Sequence, residues 1–89
     1  MSRAASSNKT SLLLAVGQCI RAQRKDAGLT QAQLAQTCGI SRTAMINIEA
    51  GYNTTLSRLE RIAAALDCAV GDLLPPAEWP SDERYDGRR

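Results

Sequence analysis

The strongest constraint on the fold is a pair of short helix-compatible segments separated by a turn of about three or four residues around Gly39. The first segment opens with Thr30-Gln31-Ala32-Gln33, which fits a capping box, in which the threonine hydroxyl and the glutamine amide each bond a free backbone N–H group. Gly39 ends this segment, Ser41 is a good N-cap for a second one over 42–50, and Gly51 ends the second. Two short helices joined so tightly meet at a steep angle, which predicts a helix-turn-helix unit.

The chain on both sides of this unit also predicts helices. Before it, one apolar helix face from Thr10 to Ala27 is marked by residues 13, 16, 20 and 27, and Gly28 ends the helix. After it, Thr55 is the expected N-cap of a helix with the apolar stripe Leu56, Leu59, Ile62, Ala63 and Leu66. A last short helix at about 70–74 is stopped by Pro75-Pro76. The sequence therefore predicts an all-α, five-helix domain over 10–76, a disordered N-terminal tail at 1–9 and a C-terminal tail at 77–89.

The side-chain inventory argues against an enzyme, a metalloprotein or a cofactor-dependent protein. The chain has no histidine, so it can form no Cys–His or Ser–His pair, and it has no glycine-rich phosphate loop. Cys19, Cys38 and Cys68 are odd in number and too widely spaced for zinc, and we interpret them as packing residues in a reducing compartment. The apolar run at 12–16 is too short for a signal peptide or a membrane span. We therefore expect no catalysis, no cofactor, no metal, no membrane association and a cytoplasmic location.

The outward face of the second short helix gives the main indication of function. Arg42, Thr43 and Asn47 lie on this face and are able to reach base edges in the major groove of DNA. Arg42 also lies at the positive end of the helix dipole, where a cation is slightly unfavourable. The net charge of +2 is compatible with phosphate binding but does not require it. We interpret this face as a DNA-reading surface.

The same region resembles the lambda-repressor/Cro-type helix-turn-helix family, also called the xenobiotic-response-element type. The resemblance runs from Val16 to Leu74 and covers about two thirds of the chain. The matching residues are Ile20-Arg21, Arg24, Gly28-Leu29-Thr30-Gln31, Leu34-Ala35, Gly39-Ile40-Ser41-Arg42, Met45, Ile48-Glu49, Gly51, Leu56, Leu59, Ile62-Ala63, Ala65-Leu66 and Asp72-Leu73-Leu74. This resemblance implies a five-helix, lambda-repressor-like DNA-binding domain.

The resemblance implies specific DNA contacts. Gln31 would bond a phosphate and brace the second short helix, which is the recognition helix of the family. Ser41 would add a phosphate or base contact to its capping role. Bases would be read by Arg42, Thr43 and Asn47, and the arginine would favour guanine. The DNA backbone would be held by Asn53, Thr54, Thr55 and Arg58.

Two features depart from the family pattern. The loop after Gly51 is about one residue shorter than is common in the family and lacks the usual proline, so the register of the backbone contacts is open. Ile46 lies on the exposed side of the recognition helix, where a polar residue is more usual. This isoleucine would contact either a thymine methyl group or a partner protein.

The resemblance also implies two groups of structural residues. Arg24 and Glu49 would form a partly buried ion pair, so we expect Arg24 to serve stability rather than DNA contact. The surface of the last two helices would form the contact of a symmetric dimer through Val70, Leu73, Leu74 and Trp79.

These observations predict a sequence-specific regulator that binds a roughly palindromic operator as a homodimer and represses transcription, its own included. The alternatives are a controller protein of a restriction–modification operon and the antitoxin of a toxin–antitoxin pair. In these cases a toxin or RNA polymerase would be a protein partner. A pure protein-interaction module is the remaining alternative, but such a module has no need of Gln31, Arg42 and Asn47 at these positions.

Overall fold

The computed structural model describes residues 11–76, and within this range the chain forms helices and no β-strand. Helix α1 is Ser11–Asp26, α2 is Gln31–Cys38, α3 is Arg42–Glu49 and α4 is Leu56–Leu66, and a 3-10 helix follows at Val70–Leu73. The predicted all-α class is confirmed, but there are four α-helices, and the expected fifth is a single 3-10 turn. The tails predicted at 1–9 and 77–89 lie outside the described residues.

The last helix stays short because the backbone on both sides of it is not helical. Asp67 adopts the left-handed conformation, with φ 57°, and ends α4. Leu74 precedes Pro75 and has the extended backbone, φ −107° and ψ 152°, that a following proline favours. The few residues between these two positions have room for only one tight turn.

The three later α-helices begin at hydroxyl caps. The Thr30 hydroxyl accepts from the Gln33 backbone N–H at 3.0 Å, and Gln33 Oε1 accepts from the Thr30 N–H at 2.8 Å. Ser41 Oγ caps α3 by accepting from a backbone N–H at 3.0 Å, and Thr55 Oγ1 caps α4 in the same way at 3.1 Å. The starts predicted for these helices are therefore confirmed.

One apolar core joins all five elements. Each element contributes one of the largest fully buried side chains, in chain order Ile20, Leu34, Met45, Ile62 and Leu73. Two residues predicted to line this core do not reach it. Leu56 is 77% exposed, because it is the first residue of α4 and lies at the open end of the helix, and Ala27 is exposed beyond the end of α1.

Helix α1 packs unusually closely on the end of α3, and Gly17 is the residue that permits this approach. A Cβ atom at Gly17 would lie 2.5 Å from the carbonyl oxygen of Glu49 and 2.7 Å from that of Ile48. Both obstacles are backbone atoms and cannot rotate away as a side chain would. A glycine in mid-helix lowers helix propensity by about 1 kcal/mol relative to alanine, so this close contact explains its presence.

We expect the Gly17→Ala substitution to lower the free energy of unfolding by about 1–3 kcal/mol, as overpacking of a tight contact generally does. The measurement is urea unfolding followed by circular dichroism. Gly71→Ala is the matched control, because a Cβ atom there meets no atom within 4 Å. Equal stability of the two variants would contradict the close approach of α1 to α3.

Candidate nucleic-acid interface

Helices α2 and α3 form the predicted helix-turn-helix unit. Gly39 ends α2 in the left-handed conformation, φ 74°, and the Ile40 N–H bonds the Ala35 carbonyl at 3.0 Å, which closes the turn. Ala35 is buried beneath the turn, and Ile40 packs on the edge of the core. A small residue at 35 and a left-handed one at 39 let α3 begin with only three residues between it and the end of α2.

A buried polar network fixes the far end of α3. Arg24 Nε donates to Glu49 Oε2 at 2.6 Å and Arg24 Nη2 donates to Glu49 Oε1 at 3.1 Å. Arg24 Nη1 also donates to the Leu29 carbonyl at 2.8 Å, so the guanidinium joins α1 to the α1–α2 turn. The two charged side chains are only 10% and 4% exposed. The pair is therefore part of the interior of the protein and is not available to DNA.

Gln31 joins the same network from the first position of α2. Its Nε2 donates to Glu49 Oε1 at 3.0 Å, and the residue is half-buried. This bond connects the start of α2 directly to the end of α3. The side chain therefore braces α3, and a phosphate contact would have to use the remaining groups of its amide.

The outward face of α3 carries the residues predicted to read bases. Arg42, Thr43 and Asn47 are all exposed. Within residues 11–76 the Arg42 guanidinium has no hydrogen-bond or ion-pair partner. Ser41 is exposed too, but its hydroxyl is engaged in capping α3. This face thus presents an unpaired cation and two small polar side chains to the surroundings.

The segment after α3 brings further polar groups beside this face. Asn53 and Arg58 line a cleft of about 320 Å³ together with Asn47, and the remaining lining residues are Ala44, Ile48 and Tyr52. Thr54 is not one of the lining residues, and its Oγ1 is buried with no hydrogen-bond partner within residues 11–76. Tyr52 was not singled out in the sequence. Its place after Gly51, at the end of the recognition helix, was the only available signal.

The residues expected at a dimer contact differ in their exposure to solvent. Leu74 is 41% exposed, and Val70 is half-buried against the core. Leu73 is completely buried within the single chain, so its assignment to the dimer surface is corrected to the core. It lies on the inner side of the 3-10 turn, whose direction could not be deduced from a helical pattern. Trp79 lies outside the described residues.

The three cysteines are free thiols, and the surroundings of two of them raise the thiol pKa. Burial raises the pKa of Cys38, partly opposed by the charge of Arg61. Burial also raises the pKa of Cys68, and Asp72 and Asp67 add to this rise. Raised values favour the protonated thiol over the reactive thiolate. Within residues 11–76 no three His, Cys, Asp or Glu side chains are grouped so that they could hold a metal ion.

None of the helices in the described range combines the length and the hydrophobicity that a membrane crossing requires.

A helix-turn-helix unit whose second helix has an exposed polar face is typical of the DNA-binding domain of a transcriptional regulator. The helix-turn-helix family model matches residues 20–73, and the chain belongs to the Cro/C1-type helix-turn-helix family.

Individual relatives agree with this assignment. The immunity repressor protein of Bacillus phage phi105 is 44% identical over 82 residues, which covers 82% of this chain and 57% of that protein. Among solved structures, the restriction-modification controller protein C.AhdI from Aeromonas hydrophila is 33% identical with a TM-score of 0.68, covering 70% of this chain and 91% of that one. These relatives are transcriptional regulators and not enzymes.

The same helical arrangement also occurs inside an enzyme. The hydroxypropylphosphonic acid epoxidase from S. wedmorenis is 28% identical with a TM-score of 0.70, and the match covers 75% of this chain but only 36% of that one. The fold alone therefore does not define the function, which depends on the residues of the α3 face.

Proposed function

We propose that this protein is a sequence-specific transcriptional repressor that binds a palindromic operator as a homodimer, with α3 in the major groove. The observation that carries the proposal is the exposed, outward face of α3, formed by Arg42, Thr43 and Asn47. This face is held by the buried network of Arg24, Glu49 and Gln31, so its side chains are presented on a fixed helix. Such fixed presentation of polar groups is what direct base readout requires.

The cleft beside α3 supports contacts with the sugar–phosphate backbone while α3 lies in the major groove. Arg58 and Asn53 flank Asn47 there, so a helix lying in the groove would bring these residues towards the sugar–phosphate backbone. Contacts of this kind position the protein and contribute affinity that is independent of sequence. The α3 face then supplies the selectivity.

Dimer formation follows from the size of the reading unit. One such unit reads a half-site, and two of them placed about 34 Å apart would match successive turns of one DNA face. The exposed Leu74 and the half-buried Val70 supply an apolar surface on the side of the 3-10 helix. Repression of the protein's own gene, through an operator upstream of it, is part of the same proposal.

The salt dependence of binding tests the backbone contacts. We expect the Arg58→Ala variant to lose affinity equally for all DNA sequences. The slope of log K against log salt should fall by about 1 for each protomer, which is about 2 for the bound dimer. The measurement is a fluorescence-anisotropy titration at several salt concentrations. Arg21→Ala is the matched control, because Arg21 is an exposed arginine on α1 that does not line the cleft. An unchanged slope for Arg58→Ala would contradict its placement on a phosphate.

A second candidate function is that of a controller protein of a restriction–modification operon. The likeness to C.AhdI favours it, since the match covers 91% of that controller protein. A controller can activate as well as repress. A transcription reporter that carries the bound DNA distinguishes the two functions, because only a controller raises expression when the protein is supplied.

A further inference from the structure

We infer that Ile46 is a specificity-determining residue that reads the 5-methyl group of a thymine beside the guanine contacted by Arg42. The inference rests on the proposed function, because it concerns the same face of α3. It assigns a role to the one large apolar side chain of this helix that is not part of the protein interior.

The position of Ile46 on α3 supports this role. Met45 and Ile48 are 0% and 2% exposed and turn one side of the helix to the core. Ile46 is half-buried and belongs neither to the core nor to the partly buried apolar residues that pack against it. It follows Arg42 by four residues and Thr43 by three, and residues at these spacings lie side by side on a helix surface. Ile46 therefore belongs to the same outward face as the predicted base contacts.

The chemistry of the major groove supplies a matching group. Among the base edges, donors and acceptors predominate, and the 5-methyl group of thymine is the apolar feature that a protein can contact. Thr43 carries a side-chain methyl group and lies one turn before Ile46, so helical spacing places both on the face that carries Arg42. A face of this composition favours a guanine with a thymine close to it.

Two pyrimidines carry this methyl group, thymine and 5-methylcytosine. They differ at the neighbouring position, where thymine has the O4 acceptor and cytosine has an amino donor. An isoleucine makes no hydrogen bond to either group, so we assign thymine because it is one of the four unmodified bases of DNA. Duplexes that carry 5-methylcytosine distinguish the two bases.

The experiment uses the full chain and a duplex with the consensus that the wild-type protein enriches from a random DNA library. Each thymine of the half-site is replaced in turn by deoxyuridine, which removes only the methyl group. At one position per half-site we expect affinity to fall about fourfold, the effect of withdrawing one methyl-sized apolar contact. Ile46→Ala is expected to bind the thymine and deoxyuridine duplexes equally.

Two controls make the result specific. Leu56→Ala removes an exposed leucine outside α3 and should retain the wild-type ratio of affinities for thymine and deoxyuridine. A circular-dichroism melt of Ile46→Ala should show that the variant is folded. Two further duplexes carry cytosine and 5-methylcytosine, respectively, at the sensitive position. If the 5-methylcytosine duplex binds as tightly as the thymine duplex and the cytosine duplex does not, the protein reads the methyl group on either base. The assignment to thymine is then overturned.

The outcomes separate the inference from the proposed function. An enriched consensus with no thymine sensitive to loss of its methyl group overturns the role of Ile46 and leaves the DNA-binding function standing. A methyl effect that persists in Ile46→Ala also overturns it, because another residue then reads the methyl group. The absence of any enriched consensus overturns both the inference and the proposed function.

Discussion

We expect the Glu49→Ala variant to be about 3–5 kcal/mol less stable to unfolding than the wild type, the usual cost of removing one partner from a buried ion pair. The Glu49 carboxylate accepts two hydrogen bonds from Arg24 and one from Gln31, and its side chain is only 4% exposed. Its removal leaves the Arg24 guanidinium buried with the Leu29 carbonyl as its remaining partner. In a domain of this size each kcal/mol lowers the melting temperature by about 4–8 °C, so the shift is easily measured.

The matched control for this prediction is Glu60→Ala, which removes an exposed glutamate from α4. We expect it to change stability by less than about 0.5 kcal/mol, as substitutions on the surface generally do. The double variant Arg24→Leu/Glu49→Leu should recover part of the lost stability, because it removes both buried charges together. Equal melting temperatures for Glu49→Ala and Glu60→Ala would show that the pair does not fix the end of α3.

The second large effect is expected for Arg42→Ala. We expect the loss of discrimination between guanine and adenine to be about 1–3 kcal/mol at one base pair of each half-site. A dimer on a palindrome makes the contact twice, so the losses at the two half-sites multiply in affinity. The physical reason is the Arg42 guanidinium at the start of α3, which has no partner among residues 11–76 and can donate two hydrogen bonds to a guanine edge.

Competition binding measures this effect, with duplexes in which each G·C pair is replaced by A·T. Arg42→Lys is the matched control, because it keeps the positive charge and lacks the fork of the guanidinium. It should keep the salt dependence and lose part of the discrimination. If Arg42→Ala weakens binding to all duplexes equally, then Arg42 contacts a phosphate and not a base.

Local rules were sufficient to predict where α2, α3 and α4 begin and where α2 ends. Thr30, Ser41 and Thr55 cap the helices by bonds that reach only three residues along the chain, so the residue type and the following sequence determine them. The same is true of the left-handed turn at Gly39. The pairing of Arg24 with Glu49 was of another kind, since it spans 25 residues and was implied only by the family resemblance.

The properties that local rules missed depend on how the helices are packed together. Leu56 has the spacing of a core residue, but its exposure is decided by where α4 meets its neighbours. The family resemblance places Leu73 at a dimer surface, whereas the 3-10 turn directs it into the core. Gly17 gave no signal in the sequence, because the carbonyl groups it accommodates belong to a helix about 30 residues away.

The sequence predicted the outward face of the candidate interface but not the cleft beside it. The outward residues of α3 follow from helical periodicity once Met45 and Ile48 are identified as its inner side. The cleft that unites Asn47 with Asn53 and Arg58 was not predictable in its register, because it depends on the path of the short loop after Gly51. The buried hydroxyl of Thr54 is a result of the same path.

The most direct test of the central claim is selection of bound fragments from the source genome by the purified protein at about 150 mM salt, close to physiological ionic strength. The proposed function predicts that a palindromic sequence is enriched, with half-sites one helical turn apart and one copy upstream of the protein's own gene. Binding that is sensitive to salt but enriches no sequence would contradict it, because the α3 face would then not read bases.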